Sequence, residues 1–174
     1  MARIGYCDVD GPERETIAAD IVAQRGSFPH LYRMLLHSPS VAAGWLTYLT
    51  AIRQQTSLPG DLRELVIMRV AILNDAPYEA EQHAPIALAE GMTPAQLGEL
   101  AEWEGSALFD DRQRAVLALT DAMTRNVHVD EAIFAAARAQ FDERLMVELV
   151  ATVAAYNMVS RFLEALEVRG SDPV

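Results

Sequence analysis

The stretch from Asp61 to Leu73, DLRELVIMRVAIL, constrains the fold more than any other part of the chain. From Leu65 onward its apolar side chains would fall on every side of a helix, interrupted only by Arg69. A helix of that kind is buried all round rather than along one stripe. The residues that follow, NDAP at 74–77, end the pattern because proline disfavours the helical conformation of the residue before it. The chain must therefore enclose this helix among several other elements.

Helix start and stop signals recur along the whole chain, whereas no run alternates polar and apolar residues as a strand would. Prolines, N-cap residues and a capping box at Thr93 predict helices that begin near residues 12, 38, 61, 77, 93, 111, 130 and 142. The sequence therefore predicts an all-α fold, a single-domain bundle of about eight helices over residues 1–174. Residues 1–10 lie before the first signal and are expected to be loose.

Composition excludes several classes of function. The net charge is -11 with only 14 Lys and Arg, so neither a nucleic acid nor an anionic membrane surface is an expected partner. No uninterrupted apolar run reaches the roughly 18–20 residues of a membrane helix, and residues 1–15 lack the pattern of a signal peptide. A cytoplasmic location is therefore expected. The lone Cys7 excludes an intramolecular disulfide and a CxxC redox pair.

Three titratable residues at the ends of the apolar region are candidates for catalysis. Glu64 would be buried on the helix from Asp61, and a carboxylate there needs a partner or a raised pKa. Glu79 and His83 are four residues apart, so they lie one above the other near the start of the next helix. Ordinary interpretations remain. Glu64 could pair with a neighbouring arginine, Glu79 could be a solvated first-turn acid, and His83 could be a hydrogen-bonded core histidine.

A polar stripe in the closing helix supplies candidate substrate contacts. Asn157, Ser160 and Arg161 have i, i+3, i+4 spacing on a helix that is otherwise apolar. Arg161 could clamp a substrate carboxylate through two hydrogen bonds. Alternatively, it could form a structural ion pair with an acid such as Glu164 or Glu64.

The histidines do not have the spacing of a metal site. His30, His37, His83 and His128 are scattered, with no HxH or HExxH pattern. Glu79 and His83 offer two ligands from one helix, and a third ligand is not identifiable. We therefore expect no bound metal.

The core motif at residues 61–91 resembles a known family. The run LRELVIMRVAILNDAPYEAEQHAPIALAEGMT is similar to the central motif of the carboxymuconolactone decarboxylase and alkylhydroperoxidase D superfamily. The upstream FPHLYRMLLHSPSVAAGWLTYL and the downstream AAYNMVSRFLEAL resemble the leading and closing helices of its longer members. The resemblance implies an alkylhydroperoxidase D-like helical fold that assembles into trimers or hexamers.

The motif departs from the peroxidase branch at its two cysteines. That branch has a glutamate, a CxxC pair and then a histidine, and the glutamate and histidine correspond to Glu64 and His83. The cysteine positions fall on Ala76 and Glu79. Because a thiolate is the nucleophile of the peroxidase cycle, thiol-dependent peroxidase activity is not expected. The chain resembles instead the cysteine-free branch, whose decarboxylases work through acid–base residues around the histidine.

The resemblance implies cofactor-free acid–base chemistry on a small carboxylated or carbonyl substrate. Histidine exchanges a proton near neutral pH, and a buried glutamate beside it can orient the ring. The hydroxyls of Tyr78 and Tyr156 could donate to a developing enolate or be satisfied within the core. Decarboxylation, isomerisation and lactone opening all suit these groups. A non-catalytic ligand-binding or assembly subunit of the same fold is the alternative.

Overall fold

The computed structural model describes residues 1–173, which form nine α-helices and no strand. The helices are α1 (Pro12–Arg25), α2 (His30–Leu35), α3 (Pro39–Thr50), α4 (Gly60–Leu73), α5 (Pro77–Ala89), α6 (Pro94–Glu99), α7 (Asp111–Asn126), α8 (Glu131–Arg138) and α9 (Glu143–Leu166). A π-helical segment, Ala51–Gln55, continues α3, and a 3-10 segment, Leu100–Gly105, follows α6. The all-α prediction is confirmed.

The helix starts follow the local signals in the sequence. Proline occupies the first turn of α1, α3, α5 and α6, where its missing N–H is not needed. Thr93 and Gln96 form the predicted capping box of α6 through reciprocal hydrogen bonds. The helix that the signals did not predict is α2, because it has only six residues and begins directly after Pro29.

The chain divides into two compact units, and residues 1–55 with the chain from Leu163 onward form the first. Within this unit, α1 and α2 pack against α3. Asp172 connects the C-terminal part of this unit to its N-terminal part. Its carboxylate accepts hydrogen bonds from the hydroxyl of Tyr6 (2.7 Å) and the backbone N–H of Ala2 (3.1 Å). The hydrogen bond from Tyr6 lowers the pKa of Asp172.

The second unit, residues 56–162, is built around α4. This helix packs against α5 and α7, and α7 also packs against α8. Nine of the fourteen residues of α4 are buried, among them Glu64 and Arg69. The helix is thus enclosed on all sides, as its apolar run predicts. The assignment of residues 1–174 to a single domain stays a prediction.

The closing helix α9 differs from the expectation that no stretch is long and apolar enough for a membrane. By length and composition alone, Glu143–Leu166 meets the requirements of a spanning helix, with a mean hydropathy of 1.2 in its most apolar window. Half of that window is buried inside the protein, and the core helices of soluble proteins have the same character. The cytoplasmic location stays a prediction.

Candidate active site

The turn between α4 and α5 positions the candidate site. Asp75 adopts a left-handed conformation with φ of +50°, which aspartate tolerates better than most residues. The backbone N–H of Ala76 then donates to the carbonyl of Ala71 at 2.9 Å and closes the end of α4. Pro77 begins α5 immediately afterwards. This short connection places the first turns of α5 against α4.

Glu64 of α4 and His83 of α5 meet inside the second unit. Nδ1 of His83 lies 2.7 Å from Oε2 of Glu64. Glu64 has no exposed surface, and His83 is 7% exposed. Because an ionised carboxylate can only accept, Nδ1 carries the proton in this hydrogen bond. The other ring nitrogen, Nε2, is thereby the basic atom of a neutral His83.

Tyr156 of α9 covers the opposite edge of the imidazole. Its hydroxyl lies 3.4 Å from Nε2 of His83, and the two rings meet edge to face with centroids 5.1 Å apart. Tyr156 is 1% exposed. The edge-to-face contact restricts rotation of the histidine ring. Both ring nitrogens of His83 therefore face groups that can exchange or orient a proton.

The charge of Glu64 is stabilised although the residue is buried. Burial alone would raise the pKa of Glu64, but the hydrogen bond and the charge of His83, together with Arg63, lower the pKa overall. Nε of Arg63 donates to Oε1 of Glu64 at 3.1 Å. Glu64 is therefore a carboxylate at neutral pH, and Arg63 is the neighbouring arginine that contacts it.

The residues at the two motif cysteine positions are also buried. Ala76 is 1% exposed and Glu79 is 2% exposed, one turn before His83 on α5. The interpretation of Glu79 as a solvated surface acid is therefore wrong. Tyr78, the preceding residue, is 3% exposed. The chain thus places a buried carboxyl where the peroxidase motif has a thiol.

Asn157 and Arg161 belong to a separate polar network. The amide of Asn157 donates to Thr124 at 2.9 Å, and its Oδ1 accepts from Asn74 at 3.1 Å and from Arg161 at 2.6 Å. Ser160 accepts a second bond from Asn74 at 2.7 Å. These contacts join α9 to the end of α4 and to α7. The side chain of Asn157 is committed to this network, and the role of Arg161 as a substrate clamp stays a prediction.

Arg69 is held by partners that lie far away in the sequence. Its guanidinium forms two hydrogen bonds of 2.6 Å with Asp121 and further bonds with the carbonyls of Leu100 and Ala101. A cavity of about 410 Å³ is lined by Arg69, Asp121 and Ala101, together with Trp103. Nothing in the local sequence around Arg69 indicates this arrangement, because a partner more than fifty residues away leaves no local pattern.

Residues 1–173 contain no group of three or more His, Cys, Asp and Glu side chains arranged to hold a metal ion. Glu64 and His83 contact each other directly, and Arg63 contacts Glu64 on its other side. These three side chains can therefore hold a proton, fix its position and transfer it.

The middle of the chain matches a known family. Residues 39–122, which run from α3 through most of α7, match the carboxymuconolactone decarboxylase family. The chain is also 25% identical to the uncharacterized protein YnjA of Escherichia coli over 144 residues, which cover 82% of this chain and 74% of YnjA.

Solved structures share the fold at low sequence identity. A complex of a debrominase Bmp8 variant with 2,3,4-tribromopyrrole is 18% identical, with a TM-score of 0.82 over 97% of this chain and 93% of the debrominase. A peroxidase-related protein from Ralstonia eutropha, described as an alkylhydroperoxidase AhpD core, is 21% identical. Its TM-score is also 0.82, over 98% of this chain and 93% of that protein. These likenesses concern the fold.

Proposed function

Because residues 39–122 match the carboxymuconolactone decarboxylase family and the chain shares the fold of an alkylhydroperoxidase AhpD core, we propose that it is a cofactor-free acid–base enzyme acting on a small carboxylated or carbonyl substrate. The observation that carries this proposal is the buried hydrogen bond of 2.7 Å between Glu64 and Nδ1 of His83. It fixes one tautomer of the imidazole and leaves Nε2 as the atom that accepts and returns a proton.

The proposed step is proton transfer at a carbon next to a carbonyl group. Nε2 of His83 takes the proton from that carbon, and the electron pair of the C–H bond moves to the carbonyl oxygen to form an enolate. Return of the proton from Nε2 to a different carbon gives isomerisation. In decarboxylation, the electrons of the bond to the departing carbon dioxide form the enolate, and a protonated Nε2 then delivers its proton to carbon.

The residues around His83 have supporting roles in this proposal. Glu64 stabilises the imidazolium that forms during the transfer, because its lowered pKa keeps it ionised. The hydroxyl of Tyr156, 3.4 Å from Nε2, donates to the enolate oxygen. Glu79 adds a second carboxyl close to the ring along α5, and Tyr78 and Arg161 are the remaining candidates for substrate contact.

Peroxidase chemistry is disfavoured by the side chains at the two motif cysteine positions. Ala76 has no nucleophile, and a carboxylate at Glu79 cannot form the disulfide that closes a thiol peroxidase cycle. Cys7 lies in the other unit and is itself buried. The fold likeness to a peroxidase-related protein therefore does not extend to this chemistry.

The experiment that tests the proposal measures proton exchange and decarboxylation directly. A panel of small unsaturated lactones and keto acids carrying a carboxylate is incubated with the protein in D2O, and NMR follows deuterium incorporation and product formation. Turnover is expected for the native protein and is expected to fall by about 100-fold or more in His83→Ala. Tyr156→Phe tests the proposed donor, since it keeps the ring and removes only the hydroxyl.

Two outcomes would contradict the proposal. Equal turnover by the native protein and His83→Ala would show that the chemistry lies elsewhere. Saturable binding of panel members without exchange or product would favour a non-catalytic ligand-binding or assembly subunit.

A further inference from the structure

The second oxygen of Glu64 is held by a chain of charged groups that does not touch His83. Oε1 of Glu64 accepts from Nε of Arg63 at 3.1 Å, while Oε2 faces the imidazole. The guanidinium of Arg63 reaches in the other direction to Oε1 of Glu90, at 2.9 Å. The side chain of Arg63 is only 11% exposed, whereas that of Glu90 is 41% exposed. Arg63 thus lies between a buried and a half-exposed carboxylate.

Gly60 provides the space in which the carboxylate of Glu90 sits. Gly60 is the first residue of α4, and a Cβ built on it would overlap the carboxyl group of Glu90. Its backbone is not in the left-handed region, so the helix itself would accept alanine there. By contrast, a Cβ at Gly98, inside α6, would meet no atom within 4 Å. A Cβ at position 60 would therefore have to displace the carboxyl group of Glu90.

We propose that Arg63, Glu90 and Gly60 are positioning residues for the Glu64–His83 pair. Arg63 fixes one oxygen of Glu64 so that the other stays aimed at Nδ1, Glu90 holds Arg63 in place, and the missing side chain of Gly60 lets Glu90 reach it. This inference rests on the proposed function for its catalytic meaning, although the arrangement can be measured without a substrate.

The charges of Arg63 and Glu90, as well as their positions, affect Glu64. Arg63 withdraws negative charge from Glu64, and Glu90 partly neutralises Arg63 in turn. Without the positive charge of Arg63, Glu64 should stabilise a protonated His83 more strongly, so the titration midpoint of His83 should rise. Removing the negative charge of Glu90 should have the opposite effect. The two changes therefore have opposite expected signs, which a general loosening of the fold would not produce.

The groups that face His83 directly stay unchanged in these variants. They are Glu64 from α4 and Tyr156 from α9, with Glu79 one turn earlier on α5 itself. The variants therefore change only groups on the far side of Glu64 from the imidazole.

The test is an NMR titration of the His83 imidazole in the substrate-free protein, with its resonance identified by loss in His83→Asn. The midpoint is expected to rise by several tenths of a pH unit in Arg63→Met and to fall by a smaller amount in Glu90→Gln. Gly60→Ala should also lower the midpoint, because the new methyl group displaces the carboxylate of Glu90 from Arg63. Gly98→Ala is the matched control and should titrate as the native protein does.

Each result decides the proposal. Native midpoints in both Arg63→Met and Glu90→Gln, or shifts of the same sign, would overturn it. A shift in Glu90→Gln with a native midpoint in Gly60→Ala would overturn the role of Gly60. If Arg63→Met does not fold, the Glu90 and Gly60 variants still decide. The titration needs no turnover. Its result therefore stands even if the protein turns over no substrate, and a failure of the positioning proposal can be told apart from a failure of the proposed function.

Discussion

Glu64 shows how neighbouring groups can reverse the effect of burial on a single residue. Burial raises the pKa of this carboxyl, yet the hydrogen bond and charge of His83, with Arg63, bring it below its ordinary value. A group whose folded pKa is lowered stabilises the fold above its unfolded pKa. That stabilisation is lost as the pH falls through the folded pKa.

Glu64→Gln should therefore destabilise the protein in a pH-dependent way. The substitution keeps the shape of the side chain and removes the charge that His83 and Arg63 stabilise. At pH 7 the free energy of unfolding is expected to fall by about 1–3 kcal/mol. The difference from the native protein should shrink as the pH drops below about 4.3, the ordinary pKa of a glutamate. Urea titrations between pH 7 and 3 measure this, and a constant difference over that range would contradict the assignment.

Glu79 is the residue at which this chain differs most from the peroxidase motif, and its burial gives it a testable role. Glu79→Gln is expected to lower turnover of any true substrate by about tenfold or more, because the residue lies one turn from His83 on α5. Glu81→Gln is the matched control, since Glu81 is on the same helix and exposed. Equal rates in the two variants, with a lower melting temperature only in Glu79→Gln, would reduce Glu79 to a structural residue.

At the scale of helices, local signals in the sequence were sufficient for most of the architecture. The prolines and capping boxes that begin α1, α3, α5, α6 and α7 act within one turn, so their effect is visible in a short stretch of sequence. The pairing of Glu64 with His83 was also predictable, through the resemblance of the core motif. The six-residue helix α2 could not be predicted from the sequence, because it has too few turns for a periodic pattern.

Side-chain contacts between helices that are far apart in the sequence could not be predicted from the sequence. Spacing identifies which residues share a helix face, but it does not identify what the face packs against. Arg69 forms hydrogen bonds with Asp121, which is 52 residues away in the sequence, and Arg63 forms one with Glu90, which is 27 residues away. The stripe of Asn157 and Arg161 was visible, whereas its partners on α4 and α7 were not. Tertiary packing decides these pairings.

Asn157→Ala tests the network that joins α9 to α4 and α7. The change removes one of the two acceptors of the Asn74 amide and the buried donor to the hydroxyl of Thr124, which should cost about 1–3 kcal/mol of unfolding free energy. Denaturant unfolding measures the loss. Arg161→Met serves as the comparison, since Arg161 is exposed and its removal should have a small effect on stability. A substrate clamp at Arg161 would instead appear as a raised KM in that variant.

For the whole molecule, the distribution of apolar surface favours self-association. Val147 is 69% exposed and Met158 is 37% exposed on α9, and Ala154 between them is also exposed. With Ala151, these residues have the alternating spacing of four and three that forms a seam between paired helices. The net charge of -11 opposes random aggregation and leaves a specific apolar contact as the route to assembly.

The protein is therefore expected to sediment as a homo-oligomer, a trimer or hexamer by its family resemblance, at micromolar concentration. Val147→Glu places a charge in the exposed apolar stripe of α9, and its burial against a second copy would be unfavourable, so the variant should shift toward the 19.2 kDa monomer. Val127→Glu is the control, because Val127 is 76% exposed and is not part of the stripe on α9. If the native protein sediments only as a monomer, the expectation of an oligomer is wrong. If Val147→Glu and Val127→Glu both keep the native assembly, the contact between copies uses a surface other than this stripe.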